Sequence, residues 1–483
     1  MHVPVSSAPL AQPCPKPGKK RIVICCDGTG NQFGDSNSNV VKLYTALTID
    51  NEQVGYYHPG VGTMGDPGAR NAVSSFWSVV TGLAFGAGFK ANVLDAYRYL
   101  METYNDGDCV HLFGFSRGAY TARALAGLLD GYGLLCKGNE GHIPYAWRLY
   151  MDQLKDRSRR SINEGDNYAA AFKETFSHAD FRIRFLGLWD TVSSVGWVST
   201  PLRLFNVAQN RSVDIIRHAV SIDERRCFYT DNLYGSALPN QDVKQVWFAG
   251  VHSDVGGSYS QDTSGLANIT LRWMIDEARS HQAGVLFNEE RIKLTLGEDS
   301  TAYPQARRMY DKPSSTQLHV SLSGWWWLLE CLPHRYYDKD DAQEQRRITF
   351  GNRRTLPCGA LVHHSVYERM HVTDSTYNPR NLRKGTLTAL PSPLAGSRPL
   401  LYEYKPRHDL RSNAFLRVTL LVLVTLIDCA VGVMIVFWVL PNVTRFLWRC
   451  VRFLLHAAAG LAHALMAWLH HAAPWLFKVW AHL

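Results

Sequence analysis

Cys109-Val-His-Leu-Phe-Gly-Phe-Ser116-Arg-Gly118-Ala-Tyr-Thr-Ala-Arg-Ala-Leu-Ala-Gly-Leu-Leu129 is the stretch that decides how this chain is read. The apolar run Cys109–Phe113 predicts a buried strand, Gly114 to Gly118 a sharp turn, and Ala119–Leu129 a helix. Gly114-Phe-Ser116-Arg-Gly118 fits G-x-S-x-G, a turn that exposes a serine hydroxyl between an incoming strand and an outgoing helix. Glycine is needed at both ends because any side chain there collides with the adjacent strand or helix. The helix N-terminus also points backbone N–H groups at the serine. With 37 glycines in the chain the bare pattern arises by chance; the flanking strand and helix give it its meaning.

Outward from this stretch, strands alternate with helices. Arg21-Ile-Val-Ile-Cys-Cys26 is a β-branched run that stops at Asp27-Gly-Thr-Gly-Asn31. Val54–Tyr57 reads as a second strand, ended by Pro59, Gly60 and Gly62. From Ala91 to Tyr104 the residues Leu94, Tyr97, Leu100, Met101 and Tyr104 keep helical spacing, and Gly107-Asp108 breaks it. Phe181 to Trp189 predicts a strand ending at Asp190, and Val243 to Val251 one ending at His252. This alternation predicts an α/β unit with a mostly parallel sheet and helices on both faces. Reactive groups gather at the carboxyl ends of such strands, where these polar residues fall.

A serine hydroxyl needs a base to take its proton, and the base needs an orienting carboxylate. Asp190 and His252 follow Ser116 in that order, at spacings of 74 and 62 residues. Among 19 histidines His252 is preferred because it sits in Gly250-Val-His252-Ser-Asp254-Val-Gly-Gly257. Asp254 and Asp27, also at strand ends, stay open as the acid or as its support. Donors for an oxyanion are expected from the N–H of Arg117 and from the Gly28-Thr29-Gly30 loop. Read as a phosphate loop, Asp27-Gly-Thr-Gly lacks the Lys-Ser/Thr and the full glycine spacing. No cofactor and no metal is expected.

Asp27-Gly-Thr-Gly-Asn31, His58-Pro-Gly-Val-Gly62, Gly114-Phe-Ser-Arg-Gly-Ala119, Trp189-Asp190-Thr-Val192 and Val251-His-Ser-Asp-Val-Gly-Gly257 together resemble the uncharacterised α/β-hydrolase family that includes the catalytic domain of type VI secretion phospholipase effectors. The resemblance runs from about Arg21 to Glu277 and, more weakly, through Trp325–Glu330. It implies an α/β-hydrolase-like fold and a Ser–Asp–His hydrolase, in some members a phospholipase A on membrane glycerophospholipids. The nucleophile falls on Ser116, the base on His252 and, less firmly, the acid on Asp190.

The rest of the sequence bounds this reading. The chain has 483 residues, 46% hydrophobic and 19% charged, with a net charge of +9, which excludes a disordered or fibrous protein. Ten scattered cysteines form no disulfide framework and no zinc ribbon, and a reducing compartment suits them. Residues 1–20 read as a flexible leader without a secretory signal, 21–280 as the catalytic domain, and 281–410 as a mixed subdomain or lid completing the catalytic unit. Residues 414–483 read as a membrane-anchoring tail. Within it Val418–Leu440 is 23 residues long with Asp428 its one ionisable group, enough to span a ~30 Å hydrocarbon core. Beyond Pro441, Arg445, Arg449, Arg452, His456, His463 and His470 mark one polar face, so 443–483 reads as an interfacial or return helix.

The expected function is therefore a membrane-associated serine esterase of phospholipase A or lipase type, with its catalytic domain on the cytoplasmic side. Its expected partners are membrane phospholipid as substrate and the bilayer through the tail, with Asp428 favouring self-association through the tail or a water-accessible face. Glycine-rich loops at Gly60–Gly68 and Gly82–Gly88, with Phe76, Trp77, Phe85 and Phe89, read equally as an acyl entrance or as ordinary loop and core. The alternatives are a membrane-tethered esterase of soluble substrates and an inactive binding or signalling module on the same fold. Nucleic-acid binding has little support, since the arginines form no aromatic-interleaved patch.

Overall fold

The structure is a computed structural model that describes residues 18–28, 34, 36–60, 82–155, 162–192, 196–197, 200–201, 209–280, 283–298, 317–324, 326–330, 334–338, 343–347, 350–371, 376–383, 385–391, 399–406, 448, 452 and 456. The main sheet contains β1 (Arg21–Cys26), β2 (Gln53–His58), β3 (Cys109–Phe115) and β4 (Ile183–Trp189). A short hairpin, β5 (Gly196–Trp197) and β6 (Thr200–Pro201), stands apart from it. The sheet continues with β7 (Val213–Ser221) and β8 (Asp242–Phe248), and β9 (His334–Asp338) pairs separately with β10 (Gln343–Arg347). β11 (Leu361–His363), β12 (Gly385–Ala389) and β13 (Leu401–Pro406) complete a nine-stranded sheet of order β12-β13-β11-β8-β7-β4-β3-β1-β2. From β2 to β11 every pairing is parallel; β13 and β12 close the edge antiparallel.

Side chains alternate across this sheet, as the two-residue period of a strand requires. Ile22 and Ile24 of β1 enter one apolar cluster with the helices Gly82–Thr103 and Arg117–Tyr132. Val23 and Cys25 enter the other, with the helices Asn39–Ala46, Gly265–Arg279 and Glu289–Leu296. A strand covered on both faces is apolar without interruption, and β3 and β4 are buried at every residue.

Two readings need correction, and two further features were not read from the sequence. Gly82–Gly88 is no loop but the first two turns of the helix Gly82–Thr103, and Phe89 is a core residue against Tyr120 and Trp147. The strand expected over Val243–Val251 stops at Phe248, and His252 opens a short helix to Gly256. β7 is a central strand that the apolar pattern does not announce. Its Asp214, Arg217 and His218 interrupt the run, yet each is buried with a partner: Arg217 pairs with Asp242 and Glu277, and Asp214 with Arg182 and Arg184. Lastly, residues after 281 extend the main sheet itself through β11, β13 and β12.

Of the cysteines, Cys25, Cys26, Cys136, Cys227 and Cys358 are free thiols, and Cys109 is disulfide-bonded. The chain divides into two units, Met1–Asp409 and Leu410–Leu483. Among the described residues no helix is long and apolar enough to cross a membrane. The span expected at Val418–Leu440 lies outside the described residues, as does the segment behind it apart from Trp448, Arg452 and His456. Gly60–Gly68 after Gly60, Phe76 and Trp77 are likewise outside them.

Candidate active site

The tight turn after β3 is enforced by backbone packing. A Cβ on Gly118 would lie 2.2 Å from the carbonyl oxygen of Cys26 and 2.4 Å from that of Asp27, and one on Gly114 would lie 2.6 Å from the Gly118 carbonyl oxygen. Between them Ser116 is held at φ 59° and ψ −121°, a conformation costly for a residue with a side chain. The strain is stabilised by the parallel ladder, through Ser116 N–H donating to the Trp189 carbonyl at 3.0 Å. Ser116 precedes the helix Arg117–Tyr132 without using its hydroxyl as a cap. That oxygen instead lies 2.8 Å from Nε2 of His252.

His252 opens its own short helix and is 4% exposed. Its backbone N–H donates to Glu224 Oε2 at 3.1 Å, and its ring lies between Phe115 at 4.7 Å and Tyr229 at 4.8 Å. Nδ1 stands 2.6 Å from Asp190 Oδ2. An ionised carboxylate only accepts, so Nδ1 carries the proton and Nε2 is left to accept from the serine hydroxyl. Burial pushes the imidazole below its ordinary range, and the Asp190 bond and charge oppose that in part.

Asp190 follows β4 directly, at φ 39°. Its N–H donates to the Ala219 carbonyl at 2.8 Å, which fixes it to β7. The carboxylate is 1% exposed and accepts from Ser221 N–H at 2.9 Å and Ser221 Oγ at 3.2 Å. Arg354 grips it from the far part of the chain, Nη1 to Oδ1 at 2.5 Å and Nη2 to Oδ2 at 3.1 Å. Burial works against the charge, but Arg354 and His252 outweigh it and hold the carboxyl well below the usual range.

The other expected site residues fall as follows. Asp27 does not touch His252; it accepts from Ser38 Oγ at 2.8 Å, Tyr57 Oη at 2.9 Å and the N–H of Gly28 at 2.6 Å. Gly28 N–H is thus engaged by Asp27, and Thr29 lies outside the described residues. Arg117 N–H is at the helix N-terminus, next to Ser116. Asp254 also stands away from the triad-like set: it accepts from Val251 N–H at 3.0 Å and pairs with His319 Nδ1 at 2.6 Å. Among the described residues no group of three or more His, Cys, Asp or Glu is arranged to hold a metal ion.

Sequence reasoning missed the shell around these groups. Glu224 gathers His252 N–H, Ser321 Oγ and Arg226. Burial raises its pKa but Arg226 outweighs this, holding it down to about 2. Arg226 in turn lies 3.6 Å over the ring of Tyr229, whose edge meets His252. Only the charged cluster Asp223-Glu-Arg-Arg226 hinted at this wall. Arg354 carried no signal at all. Chemically, the Ser116–His252–Asp190 relay can draw a proton from a hydroxyl, stabilise the resulting imidazolium and return the proton to a leaving group.

Comparison with known proteins bears on this site. Residues 20–277, just over half of the chain, match the family described as "T6SS, Phospholipase effector Tle1-like, catalytic domain". The uncharacterized protein YEL023C of Saccharomyces cerevisiae is 37% identical over 217 residues, covering 43% of this chain and 31% of that protein. The chain thus matches less than a third of that relative's length. An uncharacterized protein from Pseudomonas aeruginosa, known as a crystal structure, is 19% identical with a TM-score of 0.33, over 64% of this chain and 52% of the other. The Tle1 effector bound to the VgrG spike of the type VI secretion system is also 19% identical, with a TM-score of 0.28 over 52% and 54%. The matched residues hold Ser116, Asp190 and His252, and by them the chain belongs to the Tle1-like catalytic-domain family of phospholipase effectors, a family of hydrolases.

Proposed function

We propose that this protein is a serine hydrolase that cleaves carboxylic ester bonds of membrane glycerophospholipids, in the manner of a phospholipase A. The observation that carries the reading is the continuous hydrogen-bonded line from Ser116 Oγ to His252 Nε2 at 2.8 Å and from His252 Nδ1 to Asp190 Oδ2 at 2.6 Å. Ser116 Oγ attacks the ester carbonyl carbon while its proton passes to Nε2. The tetrahedral intermediate collapses to an acyl-serine, and His252 gives that proton to the departing alcohol. A water activated by the same imidazole then releases the fatty acid. Asp190 holds the ring's tautomer and balances the imidazolium. Arg117 N–H is assigned to the oxyanion, with a second donor from the Gly28–Thr29 loop, which Asp27 pins through Gly28 N–H.

The lipid assignment rests on the family and on the sequence of the tail. In this reading the apolar stretch 418–440, flanked by arginines on both sides, keeps the enzyme at a membrane with the catalytic unit on the cytoplasmic face, and Asp428 favours self-association.

Fatty-acid release from mixed phospholipid vesicles by the full chain, beside Ser116→Ala and a short soluble ester, tests the proposal. Release abolished by Ser116→Ala is the expected result. Cleavage of the soluble ester alone removes the lipid assignment and leaves the serine chemistry. Unchanged release by Ser116→Ala removes the serine mechanism.

A further inference from the structure

We infer that Arg354 is a positioning residue of the active site, which sets the plane of the Asp190 carboxylate and limits how firmly His252 holds its proton. The inference rests on the serine-hydrolase reading and lies outside what the family match covers, since that match ends at residue 277.

The geometry is that of a fork. Both terminal nitrogens of Arg354 meet both oxygens of Asp190, at 2.5 and 3.1 Å, and the side chain is 5% exposed. Nη1 also donates to Ser221 Oγ at 2.8 Å, and Nη2 donates to the Tyr229 carbonyl. A planar guanidinium on a planar carboxylate fixes rotation as well as position, which a point charge does not. The fork is itself bolted down. Asn381 Nδ2 donates to the Arg354 carbonyl at 3.0 Å and to the Ile222 carbonyl at 2.9 Å. The neighbouring Arg353 pairs with Asp223, which Tyr377 also engages at 2.8 Å. The segment bearing Arg354 is thus tied at several points to the end of β7, at Ser221, and to Ile222 and Asp223 just after it.

Arg354 Nε has no hydrogen-bond partner among the described residues, although it is buried. A buried guanidinium with an unmet donor is a poor device for stability alone. Its terminal nitrogens are spent on the carboxylate of the relay, on Ser221 beside it and on the Tyr229 carbonyl.

The charge argument fixes the sign. His252 is faced by Asp190 through Nδ1, by Glu224 at its backbone N–H, by Arg226 and Tyr229 from the same segment as Glu224, and by Phe115 and Ser116 from the turn. Asp254, on its own short helix, is turned to Val251 and His319. Arg354 bonds to Asp190 rather than to His252, and there it neutralises part of the carboxylate's field. Without it the carboxylate gains proton affinity and holds the His252 proton more tightly. Both changes move loss of the neutral base to higher pH.

The test is the pH profile of kcat/KM on a soluble ester for Arg354→Gln, Arg354→Lys and Ser221→Ala in the full chain, with Ser116→Ala alongside. Arg354→Gln is expected to raise the acid-limb midpoint by about one pH unit, the size of a lost Arg–carboxylate charge effect, and to lower kcat with KM little changed. Arg354→Lys keeps the charge and loses the fork, so the limb stays within a few tenths of a unit while kcat falls. Ser221→Ala removes the hydroxyl shared by Arg354 and Asp190 and gives a smaller rise; it decides the matter where the arginine variants do not fold. A folded Arg354→Gln with the parent's kcat and acid limb overturns the inference, as does an unmoved limb in Ser221→Ala when it alone is measurable. Residual activity in Ser116→Ala instead defeats the serine mechanism, a separate failure.

Discussion

Replacing Gly118 by alanine adds one methyl group at the tightest point of the active-site turn. That carbon would meet Cys26 O at 2.2 Å and Asp27 O at 2.4 Å, where real contacts do not fall below 3.0 Å. Both obstacles are backbone at the end of β1, a strand hydrogen-bonded on each side to β2 and β3, so neither yields. The helix Arg117–Tyr132 must therefore withdraw by about 0.8 Å, and Ser116 at its head moves with it. A displacement near 1 Å at a reacting group costs on the order of 100-fold in rate, and overpacking of this kind about 1–3 kcal/mol in stability. Gly131→Ala is the control. It lies in the same helix with nothing within 4 Å of the new carbon, and by helix propensity it stabilises by up to about 1 kcal/mol. The assay is kcat on a soluble ester beside a urea titration for each variant. A Gly118→Ala protein with full kcat and parental stability refutes the argument that backbone contact at this glycine sets the nucleophile.

Two further outcomes are expected. Because burial lowers the His252 imidazole below its ordinary 6.5, the base stays neutral in mildly acid solution, and the kcat/KM acid limb of the parent falls below pH 6.5; a midpoint above 6.5 contradicts this. Lys42 is buried against Asn268 Oδ1 at 3.0 Å, and burial pushes its ammonium down to about 7 from 10.5. Between those values the unfolded chain holds a proton that the folded chain has lost, so stability from this group rises with pH by about 1.4 kcal/mol per unit. Below pH 7 both states carry the proton and the slope vanishes. Lys42→Met removes the slope, and parallel urea midpoints for parent and variant at pH 7, 8 and 9 would count against the reasoning.

The hydrogen-bonded Ser116–His252–Asp190 set was legible because Ser116 and Asp190 each end an apolar run. Cys109–Phe115 and Ile183–Trp189 are buried throughout, and the polar residue after each therefore stands out in the sequence. β7 hid for the opposite reason. Arg217 and His218 sit mid-strand, and their partners Asp242, Glu277 and Gln245 are 25 to 60 residues away, so nothing local shows that burial is offset. Gly82–Gly88 misled through composition, since glycine suggests a loop but those residues form the first turns of a helix. Asp254 was a fair candidate by position, and only the chain's path, which turns it to His319, removes it. Arg354 lies 164 residues beyond Asp190 in a stretch with no periodicity, and one arginine among 51 basic residues carries no mark of its own.

That separation along the chain also orders events during synthesis. Ser116, Asp190 and His252 all leave the ribosome before Arg354, and at about 5–20 residues per second the 164 residues between Asp190 and Arg354 take roughly 8–33 s. Throughout that interval the nascent carboxylate lacks its guanidinium, and β8, once made, lacks β11 along its open edge. In the proposed serine-hydrolase reading, the carboxylate of the relay is thus the last of its members to gain all its partners.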